Sequence, residues 1–80
     1  MWNYRVLAFE NSEETIFAIC EVYYNEKETP NGYADPNKTI SDKGIKGLRW
    51  VLNKQKGALK KPILYGGEKF PQEYQEILSK

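Results

Sequence analysis

The ten residues from Thr15 to Tyr24, TIFAICEVYY, constrain this chain more than any other stretch. β-Branched and aromatic side chains dominate it, and no glycine or proline interrupts it, so it reads as the strongest strand. Ile16, Ala18, Cys20, Val22 and Tyr24 point one way, and Phe17, Ile19, Glu21 and Tyr23 the other. Neither set is cleanly polar, which marks a central strand. A second strand precedes it. In Trp2 to Phe9, Trp2, Tyr4, Val6 and Ala8 share one face, and Asn3, Arg5, Leu7 and Phe9 the other. ENSEE between the two reads as a turn, giving an antiparallel hairpin.

The segment NEKETPNGYADPNK, residues 25–38, carries the next punctuation. Asn31-Gly32 is a turn signal, and Pro30 and Pro36 disfavour a central strand. A short third strand around Tyr33–Ala34 would follow as a meander and lie at an edge. Gly44 to Lys61 then reads as a helix, with Ser41 or Asp42 as its N-cap. At 100° per residue, Ile45, Leu48, Leu52 and Leu59 fall within about 60° of one another, with Val51 beside them. That stripe is the face expected on the sheet. Gly44 and Gly47 each cost up to about 1 kcal/mol relative to alanine. Either they permit close approach to the sheet or the helix starts later. Gly57 ends its regular part or Ala58-Leu59-Lys60 continue it, and Pro62 stops it. Ile63-Leu64-Tyr65 is a further strand returning to the sheet or an extended segment. Pro71 suits the first turn of a short second helix over 71–79, with Tyr74, Ile77 and Leu78 on one side.

These elements define an α+β fold: an antiparallel two- or three-stranded meander packed against one main helix, with a short C-terminal helix. Residues 1–65 form a single domain and 66–80 a tail carrying that helix. The expected core is Tyr4, Val6, Ile16, Ala18, Cys20, Val22, Ile45, Leu48, Leu52, Leu59 and Ile63. A slip of one residue would exchange the strand faces. Eighty residues bury a limited share of their surface, but two Trp, six Tyr and three Phe supply apolar area without disulfides.

The lone cysteine, Cys20, excludes an internal disulfide and suits a reducing compartment. No apolar run approaches a membrane span, and MWNYRVLAFENSEE lacks the features of a secretory signal. A cytoplasmic protein with no membrane partner is expected. The net charge of +1 hides a segregation. Residues 1–36 hold two basic against seven acidic side chains, whereas residues 37–61 hold eight basic against Asp42 alone.

Trp50 sits inside that basic segment, about 170° from the centre of the apolar stripe. Lys46 precedes it by four residues and Lys54 follows it by four, while Lys43 lies seven before. Arg49 lies on a flank of the stripe. Three readings compete. The C-terminal helix or a lysine stem covers the indole. A protein partner, or a second copy of the chain, binds it. Or bases stack on it while the cations meet phosphates. The near-neutral total charge counts against a dedicated nucleic-acid binder. Lys43, Lys46, Arg49, Trp50 and Lys54 are the candidate interaction residues.

Catalytic chemistry is thin. The chain has no histidine, the commonest general base and metal ligand. Cys20 lies mid-strand among apolar neighbours and reads as a small core residue. Gly66-Gly67-Glu68-Lys69 lacks the spacing of a phosphate loop. Asp35 and Asn37 read as turn residues, and no pair of carboxylates is spaced as an acid/base couple. The expectation is a protein that is not an enzyme and holds no metal or cofactor.

Asn3-Tyr4-Arg5-Val6, Phe17 to Tyr24 with its Glu21-Val22-Tyr23-Tyr24 end, Gly47-Leu48-Arg49-Trp50 and Ala58-Leu59-Lys60-Lys61-Pro62-Ile63-Leu64 follow one another in a suggestive order. The pattern resembles a family of short bacterial proteins of unknown function that read NYRV, then YAIHEVYYD with a GxP-type turn, an amphipathic helix, and ALDKPVL. The resemblance spans residues 3–64 and implies a ββ(β)α arrangement. It brings no established activity. Cys20 stands where that family often has histidine, the acidic helix face common there is basic here, and residues 66–80 extend past its usual end. A role resting on that histidine or on an acidic helix does not carry over.

Overall fold

A computed structural model describes residues 1–35 and 44–75. The chain forms strands β1 (Trp2–Glu10), β2 (Thr15–Tyr24) and β3 (Pro30–Tyr33), helix α1 (Ile45–Ala58) and strand β4 (Leu64–Tyr65), followed by a 3-10 turn at Gly67–Lys69. The sheet order is β3-β2-β1-β4. β1 and β2 pair antiparallel along their whole length, and β2 and β3 pair antiparallel with an irregularity at Tyr23/Tyr24. β4 joins β1 in parallel, Leu64 beside Leu7 and Tyr65 beside Ala8. The α+β class stands, but the sheet is mixed, because the return through α1 brings β4 in alongside β1.

The turns are built by asparagines. Asn11 Oδ1 accepts from the backbone N–H groups of Glu13 and Glu14, closing the β1–β2 turn. Asn25 Oδ1 accepts from the N–H groups of Lys27 and Thr29, and Glu28 takes a left-handed φ of 62°. The β2–β3 turn is therefore at 25–29. Asn31-Gly32, expected to turn, lies inside β3. Pro30 is accommodated because β3 has β2 on one side only among the described residues.

Register decides the core. Arg5 pairs with Cys20 and Leu7 with Ala18, so the odd residues of β1 share a face with the even residues of β2. On that face Leu7, Cys20, Val22 and Leu64 are buried, with Phe9, Ala18, Tyr24, Tyr33 and Phe70 around them. Tyr4 and Val6 lie on the opposite face, so the expected core mixed two faces. Val6 and Ala8 are buried there too. Both sides of β1 are covered, which is why its alternation carried no inside–outside signal.

The core face is closed by its own edges. The Tyr33 hydroxyl accepts from the Gly67 N–H at 2.8 Å, joining β3 to the segment after β4. The Tyr33 ring meets Phe9 edge-on with centroids 5.8 Å apart, and Phe70 at 4.9 Å. A Cβ at Gly66 would run into the Phe9 ring, so the close approach requires glycine. Arg5 ties the other end. Its guanidinium donates to the Tyr24 hydroxyl at 2.9 Å and to the Pro62 carbonyl at 2.7 Å, and Tyr24 donates to Asn3 Oδ1.

Two expectations about helices change. Residues 71–75 are not helical. The Tyr65 N–H donates to the Gln72 carbonyl and the Tyr74 N–H to the Ile63 carbonyl, so this segment pairs with β4. Residues 76–80 lie outside the described residues. α1 begins after Gly44, its N-cap, which offers no side-chain cap; Ser41 and Asp42 lie outside the described residues. The helix passes through Gly57 and ends at Ala58.

The larger correction is its rotation. Ile45, Leu52 and Leu59 are 71%, 52% and 66% exposed, although they were the expected buried stripe. Ala58 is fully buried, and Gly47, Leu48, Val51, Gln55 and Gly57 are half-buried. The centre of the packed side is rolled by about 90° from the apolar stripe, at 100° per residue. Among the strands α1 packs chiefly against β1. Ala58 lies at the centre of the packed side, fully buried, and Ile45, Leu52 and Leu59 lie to the flank.

Candidate functional site

The roll carries Trp50 toward the sheet. Its indole lies beside β1, in a groove of about 240 Å³ lined by Trp2, Asn3, Tyr4, Trp50, Lys54 and Lys61. The groove exists because β1 starts with alternating aromatics on one face while α1 presents Trp50 and Lys54 four residues apart. Trp2 packs edge-on against Tyr4, centroids 5.2 Å apart and planes at 87°. The Lys54 ammonium lies 5.4 Å from the Trp50 ring centre, within cation–π range.

Cover from the lysine is partial. Trp50 remains 54% exposed and Trp2 45%. The C-terminal segment does not supply the rest at Tyr74, whose ring packs against Phe17 and Tyr65 with centroids 5.5 and 5.2 Å away. Ile77 and Leu78 lie outside the described residues.

The candidate residues separate. Trp50 and Lys54 share the groove. Lys46 is exposed one turn before Trp50, and Arg49 is exposed on the outward side of α1. Lys43 lies outside the described residues. Sequence reasoning missed Trp2 and Lys61 as members of the site. Trp2 shares a strand face with Tyr4, but nothing in one strand's alternation says which helix side lies over it.

Elsewhere the chemistry is quiet. Burial, with a smaller push from the Asp35 carboxylate, raises the Cys20 thiol to about 11, which keeps it protonated and non-nucleophilic near neutrality. A second hollow lined by Phe9, Glu10, Tyr65 and Gly66 to Lys69 is crossed by Lys69, which lies 3.4 Å from Glu10 and 4.7 Å from the Tyr65 ring centre. Among the described residues no three His, Cys, Asp or Glu side chains cluster as a metal site, and no helix is long and apolar enough to cross a membrane. Compared with protein-family models, curated proteins and solved structures, the chain matches none of them.

Proposed function

We propose that this protein is a non-enzymatic interaction module that binds another protein, or a second copy of itself, through the basic side of α1 around Trp50. The observation that carries the reading is the pair of half-exposed tryptophans, Trp2 and Trp50, facing one groove with Lys54 and Lys61 at its edge. Tryptophan with nearby cations is the composition of binding hot spots, and large aromatic area left in water favours a partner that covers it. The single buried thiol fits a reducing, cytoplasmic setting. A second reading shares the residues. Bases stacking on Trp50, with Lys46, Lys54 and Lys61 near phosphates, would make a small nucleic-acid binder.

The test uses Trp2→Phe, which leaves Trp50 as the only tryptophan. In dilute solution iodide is expected to quench it efficiently, since Lys54 and Lys61 attract the anion. An indole that is blue-shifted and shielded at every dilution would remove the main support for the interaction reading. Titration with a mixed-sequence single-stranded oligonucleotide separates the alternatives. Binding that falls steeply with salt favours the nucleic-acid reading. No binding leaves the protein-interaction reading standing.

A further inference from the structure

The outward side of α1 carries a pattern the groove does not use. Ile45, Arg49, Leu52, Lys56 and Leu59 recur at i, i+4, i+7, i+11 and i+14, which places them on one strip about 80° wide. Arg49 and Lys56 are exposed like the three apolar residues. The strip is thus apolar and basic in alternation, and about 21 Å long at 1.5 Å per residue. Two such strips would not pair with each other, because the same cations would meet across the contact. The complement must be acidic and apolar together.

The same chain displays that complement. At the end of the β1–β2 hairpin Glu13 and Glu14 in the turn and Ile16 at the start of β2 are exposed, Ile16 at 51%, while Phe17 points to the opposite face and packs on Tyr74. Two carboxylates thus stand within three residues of an exposed apolar side chain, over at most about 10 Å of chain, which fits inside the helix strip. Within one molecule Glu13 and Glu14 stay exposed.

We propose that the outward strip of α1 docks onto the Glu13–Ile16 hairpin end of a second copy of this chain. The inference rests on reading α1 as an interaction element, but it names the partner and uses the flank away from Trp50. Each copy carries both surfaces, so two copies can reciprocate in a closed pair or add head to tail. The contact is small, which places the association among weak, concentration-dependent ones.

Sedimentation velocity on the intact chain tests this with charge reversal. Wild type is expected to grow in apparent mass with concentration, and to lose that growth near 1 M salt, where the screening length falls to about 3 Å. Arg49→Glu/Lys56→Glu alone should stay monomeric, and so should Glu13→Lys/Glu14→Lys alone. An equimolar mixture of the two variants should associate again, because each then offers the surface the other lacks. Circular dichroism checks that both variants fold, and the restored mixture guards against loss by misfolding. Trp50→Ala should associate like wild type, so failure of the groove reading leaves this one standing. A wild type that stays monomeric at every concentration overturns the proposal and assigns the strip to some other occupant. So does a single variant that associates normally, or a mixture that does not.

Discussion

Arg5 holds three parts of the chain at once: its own strand, the Tyr24 hydroxyl at the end of β2, and the Pro62 carbonyl before β4. Hydrogen bonds to a charged donor are each worth about 1.5–3 kcal/mol, and the guanidinium fork is not replaced by an ammonium. Arg5→Lys should lower the urea midpoint by about 2 kcal/mol of stability with little change in slope. An unchanged midpoint would mean that the fork contributes nothing net. Cys20 makes a pH-dependent prediction. In the unfolded chain a thiol ionises near about 8.5, whereas in the fold it ionises near about 11. The native state keeps the proton after the unfolded chain has lost it. Stability from this group is therefore full below about pH 8.5 and declines as pH rises through about 11. Thermal melts of wild type and Cys20→Ala should diverge in slope over that alkaline window alone. Disulfide-exchange labelling of native protein near neutrality should be slow and should speed up in denaturant.

At the scale of elements, the hairpin was legible and the helix face was not. Thr15–Tyr24 announces a strand by composition, and the short connection at 11–14 leads back to Trp2–Glu10. Which faces of the two coincide depends on the turn, and the Asn11 hydrogen bonds that set it follow from geometry that residue types alone do not give. Asn25 took the next turn from Asn31-Gly32 in the same way. The helix failed for a different reason. Amphipathicity weights side chains by transfer energy, so Ile45, Leu52 and Leu59 dominated. The side that packs instead carries Gly47, Leu48, Val51, Gln55 and the fully buried Ala58, a set that this weighting ranks below the exposed stripe. Substitutions test that roll. Leu52→Ala should cost about 1 kcal/mol or less, as for a side chain mostly in water, whereas Ala58→Leu should cost about 1–3 kcal/mol by overpacking. The reverse ranking would restore the apolar stripe to the sheet. The candidate site was half legible. Trp50 and Lys54 came from helical spacing, but Trp2 and Lys61 join them only through the tertiary fold.

Taken as a whole, the molecule is a sheet whose two margins meet. Tyr33 from β3 reaches the Gly67 N–H beyond β4, and residues 72–74 pair along the outer side of β4. A chain ended after Tyr65 loses the Gly67 donor, Phe70 and that pairing together. It should lose its near-ultraviolet aromatic signal and cooperative melting, although every residue of β1 to β4 is still present. A truncated chain that melted like the intact one would confine residues 66–75 to an accessory role. The parallel seam between β1 and β4 also has a consequence for manufacture. A ribosome delivers β1 first and β4 after α1, so the hairpin must wait, one flank bare, for its other neighbour. Until then Leu7 and Cys20 face either water or another nascent chain, and neighbouring copies on one message are the nearest available. Rapid translation of the segment between Tyr33 and Leu64 would shorten that interval. A pause placed there by slow codons should appear as insoluble product rather than as altered stability of the chains that do fold.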